Sequence, residues 1–222
     1  MLRAPLLEEM GVVHAFGTRG DAEPPGLLRP RQVHGSVVVE ANACRAQPVP
    51  EADAVVSSEA GVPIGVVTAD CLPILLASER VGAVAAVHAG WRGLAAGVVE
   101  AGVRALRERA AGEAVTAVVG PHVGPCCYEV DAPVLDALAA RHDALLEACL
   151  SRTRPQHARL DLGALALAVL ACTGVERCAA VPAACTSCDS RRFHSYRRDG
   201  ARAGRLLHRI AAGPFPPGQP SA

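Results

Sequence analysis

The sequence predicts an α+β fold: a single compact domain whose mixed β-sheets are flanked by helices. Three observations predict it. Half of the 222 residues are hydrophobic, enough for one sizeable core in a chain of single-domain length. Short apolar runs with β-branched residues, the mark of buried strands, recur along the chain. Segments of helical period lie among them without a regular strand–helix–strand rhythm, which argues against a wound parallel sheet. The domain is expected over 1–212, with a flexible Pro- and Gly-rich tail over 213–222.

The elements follow in order. Residues 21–31 are Pro-rich and read as a loop, 37–40 as a short strand, and 47–51 as a turn. The runs 62–68 and 73–77 read as buried strands on either side of a break at Ala69-Asp70-Cys71. A further strand, 81–88, ends at Ala89-Gly90. In 94–109, Leu94, Val98, Ala101 and Ala105 share one face and Glu100 stands four residues before Arg104, which predicts a helix. Residues 114–119 return as a strand, followed by the Gly- and Pro-rich loop 120–125. Asp131, with Pro133 in the first turn, predicts the start of a helix to about 150. Asp161 opens another helix to about 171, and 175–181 reads as a strand.

Composition removes several function classes. The 22 basic residues balance the 22 acidic ones, so no general field draws the chain to nucleic acid or acidic membranes. No lysine occurs; every basic residue is arginine. Schiff-base, pyridoxal-anchoring and P-loop lysine chemistry are therefore excluded. Residues 1–10 contain Glu8 and Glu9 and no apolar signal core, and 62–77 is interrupted by Pro63, Asp70 and Pro73, so no membrane span is predicted. A cytoplasmic location is expected, in which the nine cysteines stay reduced.

Reactive side chains concentrate in three places among small residues: Arg31-Gln32-Val33-His34-Gly35, Thr68-Ala69-Asp70-Cys71-Leu72-Pro73 and His88-Ala89-Gly90-Trp91-Arg92-Gly93. Chain ends of apolar runs followed by Gly or Pro are where folds present functional groups. One thiolate and two imidazoles, from Cys71, His34 and His88, suit zinc and leave a fourth position open. The rival is a Cys71–His88 nucleophile pair acting on an acyl or amide group. Asp70, next to Cys71, is the candidate proton carrier. Cys185 and Cys188 form a CxxC with no second CxxC, so no structural zinc site is predicted there. The adjacent Cys126 and Cys127 read as packing residues, and His142 as a core histidine on an apolar helical stripe. Residues 120–124 lack the features of a phosphate loop. Arg191, Arg192, Arg197 and Arg198 surround Phe193-His194-Ser195-Tyr196, and arginine is the side chain that best clamps phosphate.

Five ordered motifs together resemble the laccase-domain family, formerly labelled multicopper polyphenol oxidases and now regarded as purine nucleoside phosphorylases. They are Gln32-Val33-His34-Gly35, the run from Thr68 to Leu76, His88 to Gly93, Gly120 to Val130, and Phe193 to Gly200. The resemblance covers nearly the whole chain and implies a compact α+β fold. It implies zinc on His34, Cys71 and His88, with copper possible in vitro. It also implies a substrate or phosphate contact at Arg198 and at Arg19 of Thr18-Arg19; from the residues themselves Gln32 and Arg92 are further candidate contacts, and Cys71, Asp70 and Arg198 are the candidate catalytic residues. The implied activities are phosphorolysis of adenosine, inosine and methylthioadenosine, with deamination of adenosine. The implied partners are purine nucleosides and phosphate, with neither nucleic acid nor membrane.

Some relatives are thought to clear misassembled peptidoglycan precursors, which keeps a Cys71–His88 hydrolase open, and a non-catalytic binding module is a further alternative. Copper-dependent phenol oxidation is disfavoured, because one site with a single thiolate cannot supply a multi-copper cluster. The chain departs from the family pattern between Arg19 and Gln32, where residues 20–31 replace a longer segment, and at His194, where Phe is common.

Overall fold

The computed structural model describes residues 1–182 and 185–213. The tail expected over 213–222 lies, beyond Gly213, outside the described residues. In chain order the elements are α1 (Pro5–Glu9), β1 (Val13–Ala15), β2 (Val38–Glu40), β3 (Ala54–Ser57), β4 (Pro63–Thr68), β5 (Leu72–Ser78) and β6 (Val84–Ala89). Then come α2 (Trp91–Ala96), α3 (Val98–Arg109), β7 (Val115–Val119), β8 (Glu129–Asp131), α4 (Ala132–Leu146), β9 (Leu150–Arg154) and β10 (His157–Leu160). The last described elements are α5 (Leu162–Cys172), β11 (Arg177–Ala180), α6 (Tyr196–Asp199) and β12 (Leu206–Ala211).

A six-stranded sheet of order β11-β7-β5-β6-β3-β2 forms the centre. Its outer pairs, β11 with β7 and β2 with β3, are parallel and the inner pairs antiparallel, so the sheet is mixed, as expected of an α+β domain. Two antiparallel three-stranded sheets, β1-β12-β4 and β8-β10-β9, complete the fold. Every residue of β5 is buried, and its alternating side chains feed two cores. Leu72, Ile74 and Leu76 pack with Val99, Val103 and Leu106 of α3 and Leu165 and Val169 of α5. Leu75 and Ala77 pack on the opposite face with Ile64, Val66 and Ile210 of the β1-β12-β4 sheet. A fully buried leucine or isoleucine contributes about 1.5–3 kcal/mol, so a central strand buried on both faces is a fixed platform for whatever its ends carry.

Several elements differ from the sequence expectation. The helix expected over 94–109 starts earlier and is two: Gly97, at φ 86°, ends α2 and opens α3, a left-handed conformation that glycine adopts freely. Glu100 pairs with Arg141 at 3.8 Å instead of the expected Arg104, because tertiary packing brings α4 against α2. Asp131 precedes α4 without a side-chain cap bond; it ends β8, opposite His157 of β10. Asp161 does cap α5, accepting the Ala164 amide at 2.9 Å. The strand expected to begin at 81 begins at Val84, since Val81 turns at φ 57°. Strands β1, β3, β8, β9, β10 and β12 have no counterpart in the sequence reading; their polar or short stretches pair through tertiary context. His142 is buried with Nε2 3.0 Å from the Leu94 carbonyl, the satisfied core histidine that its stripe suggested. Among the described residues no helix is long and apolar enough to cross a membrane.

Candidate metal centre and the cavity above it

The antiparallel register of β5 and β6 sets Leu72 opposite Ala89 and Pro73 opposite His88. Cys71, one residue before β5, is thereby brought to the end of β6, and Gly90 faces it closely. A Cβ on Gly90 would lie 2.8 Å from Cys71 Sγ and 3.4 Å from His34 Cδ2, so only glycine leaves room for the sulfur and the imidazole. The ligand atoms of His34, Cys71 and His88 all lie within 4.8 Å of one another, and the two imidazole centroids are 4.8 Å apart, edge to face. Three segments separated in sequence thus bring one sulfur and two ring nitrogens to one point. That donor set fits a single borderline-soft cation such as zinc, with a face left open.

A residue absent from the sequence reading organises this point. Asp53, fully buried just before β3, holds Nδ1 of His88 at 2.7 Å. It also accepts the backbone amides of Val33 at 3.2 Å, His34 at 2.9 Å and Gly35 at 2.6 Å. With Nδ1 engaged, His88 turns Nε2 toward the ligand point, the usual role of a carboxylate behind a metal-binding histidine. The three amide contacts hold His34 at φ 62°, a left-handed conformation that costs a non-glycine residue about 1–3 kcal/mol. The signal for Asp53 was faint: an acid lying next to the apolar run 54–56.

Burial alone would push the Cys71 thiol up, but hydrogen bonds from His34 and His88 outweigh it and bring the value to about 7. Burial likewise works against a charged His88, and its bonds to Asp53 and Cys71 raise it to about 9. Burial works against a charged Asp53 too, yet the bonds from His88 and the Gly35 and His34 amides leave its carboxyl below the usual range.

A cavity of about 850 Å³ opens over the three ligands. Its wall carries five arginines, Arg29, Arg31, Arg92, Arg197 and Arg205, against one carboxylate, Asp70, and three aromatic rings, Trp91, Tyr128 and Tyr196. Arg92 stacks over Trp91 at 4.3 Å and makes no hydrogen bond or ion pair among the described residues. Arg197 lies 5.4 Å over Tyr128 and donates to the Glu129 carbonyl at 2.6 Å. Arg31 is tied to Glu51. The shortened segment 20–31 still contributes to this wall: Leu28 bridges to Ile64, which carries Arg29, Pro30 and Arg31 past the cavity.

The remaining predicted site residues separate into two groups. Gln32 and Asp70 line the cavity with their polar groups spent on the protein. Gln32 accepts the Val67 amide at 2.7 Å and donates to the Val67 carbonyl at 2.8 Å. Asp70, at φ 92°, accepts Thr186 Oγ1 at 2.6 Å, Ser195 Oγ at 3.0 Å and the Arg197 amide at 2.6 Å. It therefore anchors the segment 186–197 to the β4–β5 turn.

Arg198 and Arg19, expected to contact substrate or phosphate, are not part of the wall. Arg198 pairs with Asp199 and donates to the carbonyls of Thr186, Ser187 and Phe193. Arg19 donates to the same Phe193 carbonyl at 3.0 Å and lies 3.5 Å from the same Asp199. The one-residue step along α6 is the reason: it turns Arg197 to the cavity and Arg198 to the protein. The cysteines also lie differently from the expectation. Cys126, Cys127, Cys185 and Cys188, expected to be packing residues and an isolated CxxC, come together with their sulfurs within 4.8 Å of one another.

Comparison with known proteins places these features in a wider set. Residues 13–212 match the family model described as multi-copper polyphenol oxidoreductase laccase. Purine nucleoside phosphorylase PA4543 of Pseudomonas aeruginosa is 43% identical over 177 residues, covering 79% of this chain and 69% of the relative. Adenosine deaminase RL5, from an unknown prokaryotic organism, is 35% identical over 191 residues, covering 82% and 73%. Among solved structures, protein NMB0706 of Neisseria meningitidis superposes with a TM-score of 0.76 at 34% identity, covering 84% of this chain and 74% of that one.

Proposed function

This chain belongs to the multi-copper polyphenol oxidoreductase laccase family, and on that footing we propose that it is a zinc-dependent purine nucleoside phosphorylase. The observation that carries the proposal is the joining of two features in one cavity: a Cys–His–His ligand point with its open side toward five arginines and three aromatic rings. The names of the relatives, one a purine nucleoside phosphorylase and one an adenosine deaminase, support the same substrate class.

His34, Cys71 and His88 would hold the zinc, which when bound supplies a Lewis-acid position that orients and polarises an oxygen of phosphate or water. The work of the protein around it follows from the wall. Arg92, with no hydrogen bond or ion pair among the described residues, and Arg197 supply the charge that draws phosphate in and offsets its repulsion from the electron-rich sugar oxygens. Trp91, Tyr128 and Tyr196 offer flat surfaces for a purine ring. In phosphorolysis a phosphate oxygen bonds to the anomeric carbon while the glycosidic C–N bond breaks and its electron pair leaves with the base. The departing base takes up a proton, and Asp70, the carboxylate on the wall, is the candidate carrier: with one of its three donors given up it can take a proton from solvent and pass it to the base. Gln32 keeps the strand β4 in place beneath the substrate, and Asp53 keeps both imidazoles aimed.

The nucleosides cleaved are proposed to be adenosine, inosine and methylthioadenosine, with adenosine deamination as a side activity in which water adds at C6 and the amino group leaves as ammonia. The test is an assay of purified protein with inosine and inorganic phosphate, following ribose 1-phosphate and free base, alongside Cys71→Ala. The proposal expects phosphate-dependent base release, lost with zinc in the variant. Full turnover by metal-free Cys71→Ala would reject it. Base release that persists without phosphate would reject phosphorolysis in favour of hydrolysis.

A further inference from the structure

A second set of metal-type ligands lies apart from the His34–Cys71–His88 point. Two turns meet there. One, Pro125–Cys127, follows β7 and leads into Tyr128; the other, Thr186–Cys188, precedes α6. In the first, the Cys127 amide donates to the Gly124 carbonyl at 3.0 Å. That bend carries two neighbouring cysteines onto one side, which an extended strand would forbid. In the second, the amides of Cys188 and Asp189 both donate to the Cys185 carbonyl at 3.0 Å, the tight loop that lets a CxxC present both sulfurs together. The turns are clamped to each other by the Thr186 amide on the His122 carbonyl at 3.0 Å.

The resulting sulfur geometry is specific. Cys127 and Cys188 have Sγ atoms 3.3 Å apart, Cys126 and Cys188 3.6 Å, and all four sulfurs lie within 4.8 Å of one another. Four sulfurs at a zinc–sulfur distance of about 2.3 Å form a tetrahedron with edges of about 3.8 Å. The Gly124 amide donates to Cys185 Sγ at 3.1 Å, the kind of N–H to sulfur bond that supports a metal-bound thiolate. A Cβ on Gly124 would sit 3.2 Å from Cys185 Cβ and 3.5 Å from Cys126 Sγ, so the absence of a side chain lets that amide approach. Two of the four thiols are exposed, where four crowded, weakly bonding sulfurs gain little from packing.

We propose that Cys126, Cys127, Cys185 and Cys188 form a second, structural zinc site, closed by four thiolates, that staples the loop after β7 to the segment entering α6. Binding releases the protons of those four thiols and no electron is transferred. The staple has a clear mechanical reach. Thr186, within the second turn, donates to Asp70; the carbonyls of Thr186 and Ser187 receive Arg198; Tyr128 follows the first turn into the cavity wall. The site therefore fixes one wall of the cavity without touching the first ligand point.

Metal counting on full-length protein, purified under reducing conditions without added metal, tests this. The proposal expects two zinc ions per chain in the wild type, one in Cys71→Ala, one in Cys188→Ser, and none in the double variant. Cobalt loaded into Cys71→Ala should show intense thiolate-to-cobalt charge-transfer absorption that Cys188→Ser abolishes. A folded Cys71→Ala chain without zinc would overturn the proposal. So would iron in place of zinc, or a Cys127–Cys188 disulfide in non-reducing peptide mapping. If Cys188→Ser does not fold, the count on Cys71→Ala decides alone. Failure of the first site reads differently: one zinc in the wild type, unaffected by Cys71→Ala and lost with Cys188→Ser.

Discussion

The carboxylate of Asp53 stands 2.7 Å from Nδ1 of His88, and the same carboxylate receives three consecutive backbone amides of the His34 loop. One buried charge thereby sets the rotation of one imidazole and the backbone of the other. The register of β3 on β6 makes this possible: Ala54 faces Val87, and the His88 amide donates to the Asp53 carbonyl at 2.7 Å.

Asp53→Asn keeps the shape and removes the charge. The amide can still accept, but it cannot serve His88 and three N–H groups as well. We expect zinc affinity at the first site to fall about 10–100-fold, with turnover falling alongside. Chelator competition measures the affinity; an unchanged value would show that Asp53 does not position the ligands.

Gly90→Ala tests the close approach at the ligand point. The backbone at Gly90, φ −75° and ψ 174°, accepts alanine without strain, so the fold should persist. The added Cβ would press on Cys71 Sγ at 2.8 Å. We expect native far-UV circular dichroism with zinc lost from the first site and activity with it. Retained zinc would mean the sulfur can move aside.

Two neighbouring arginines should separate cleanly. Arg92→Ala breaks no hydrogen bond or ion pair among the described residues, gives up only the stack on Trp91, and removes a cation from the cavity, so KM for phosphate should rise about tenfold, near 1.4 kcal/mol, with urea stability little changed. Arg198→Ala strips the Thr186 and Ser187 carbonyls of this donor and leaves the Phe193 carbonyl and Asp199 to Arg19 alone. Each orphaned group costs about 1–3 kcal/mol if it stays dry, so this variant should unfold at lower urea. A phosphate KM effect from Arg198→Ala without loss of stability would return Arg198 to the substrate.

Acid should weaken the fold through His208. Burial pushes this histidine from 6.5 down to about 3, and it sits neutral between the Gly17 amide at 3.3 Å and Thr68 Oγ1 at 2.9 Å. The folded value lies below the unfolded one, so the unfolded chain takes the proton first. Stability is full above 6.5 and falls as pH drops toward 3, by about 1.4 kcal/mol per pH unit from this group. Urea midpoints between pH 7 and 4.5 should fall less steeply in His208→Gln. Parallel slopes in the two proteins would assign the acid lability elsewhere.

The α+β class, the apolar strands around the break at 69–71, the Asp161 cap and the three residues whose side chains suit a metal are legible in the chain before it folds. Those features are written in local composition: β-branched runs, a capping acid before a helical stripe, and small residues beside His and Cys. Tertiary structure decided the rest, because strand register and loop closure bring together residues whose separation in sequence carries no signal. Asp53 became the support of both imidazoles only through the β3–β6 pairing. Arg197 rather than Arg198 reached the cavity because of one step on a short helix. Cys126-Cys127 and the CxxC at 185–188, unremarkable apart, met because two turns pack against each other at one corner of the fold.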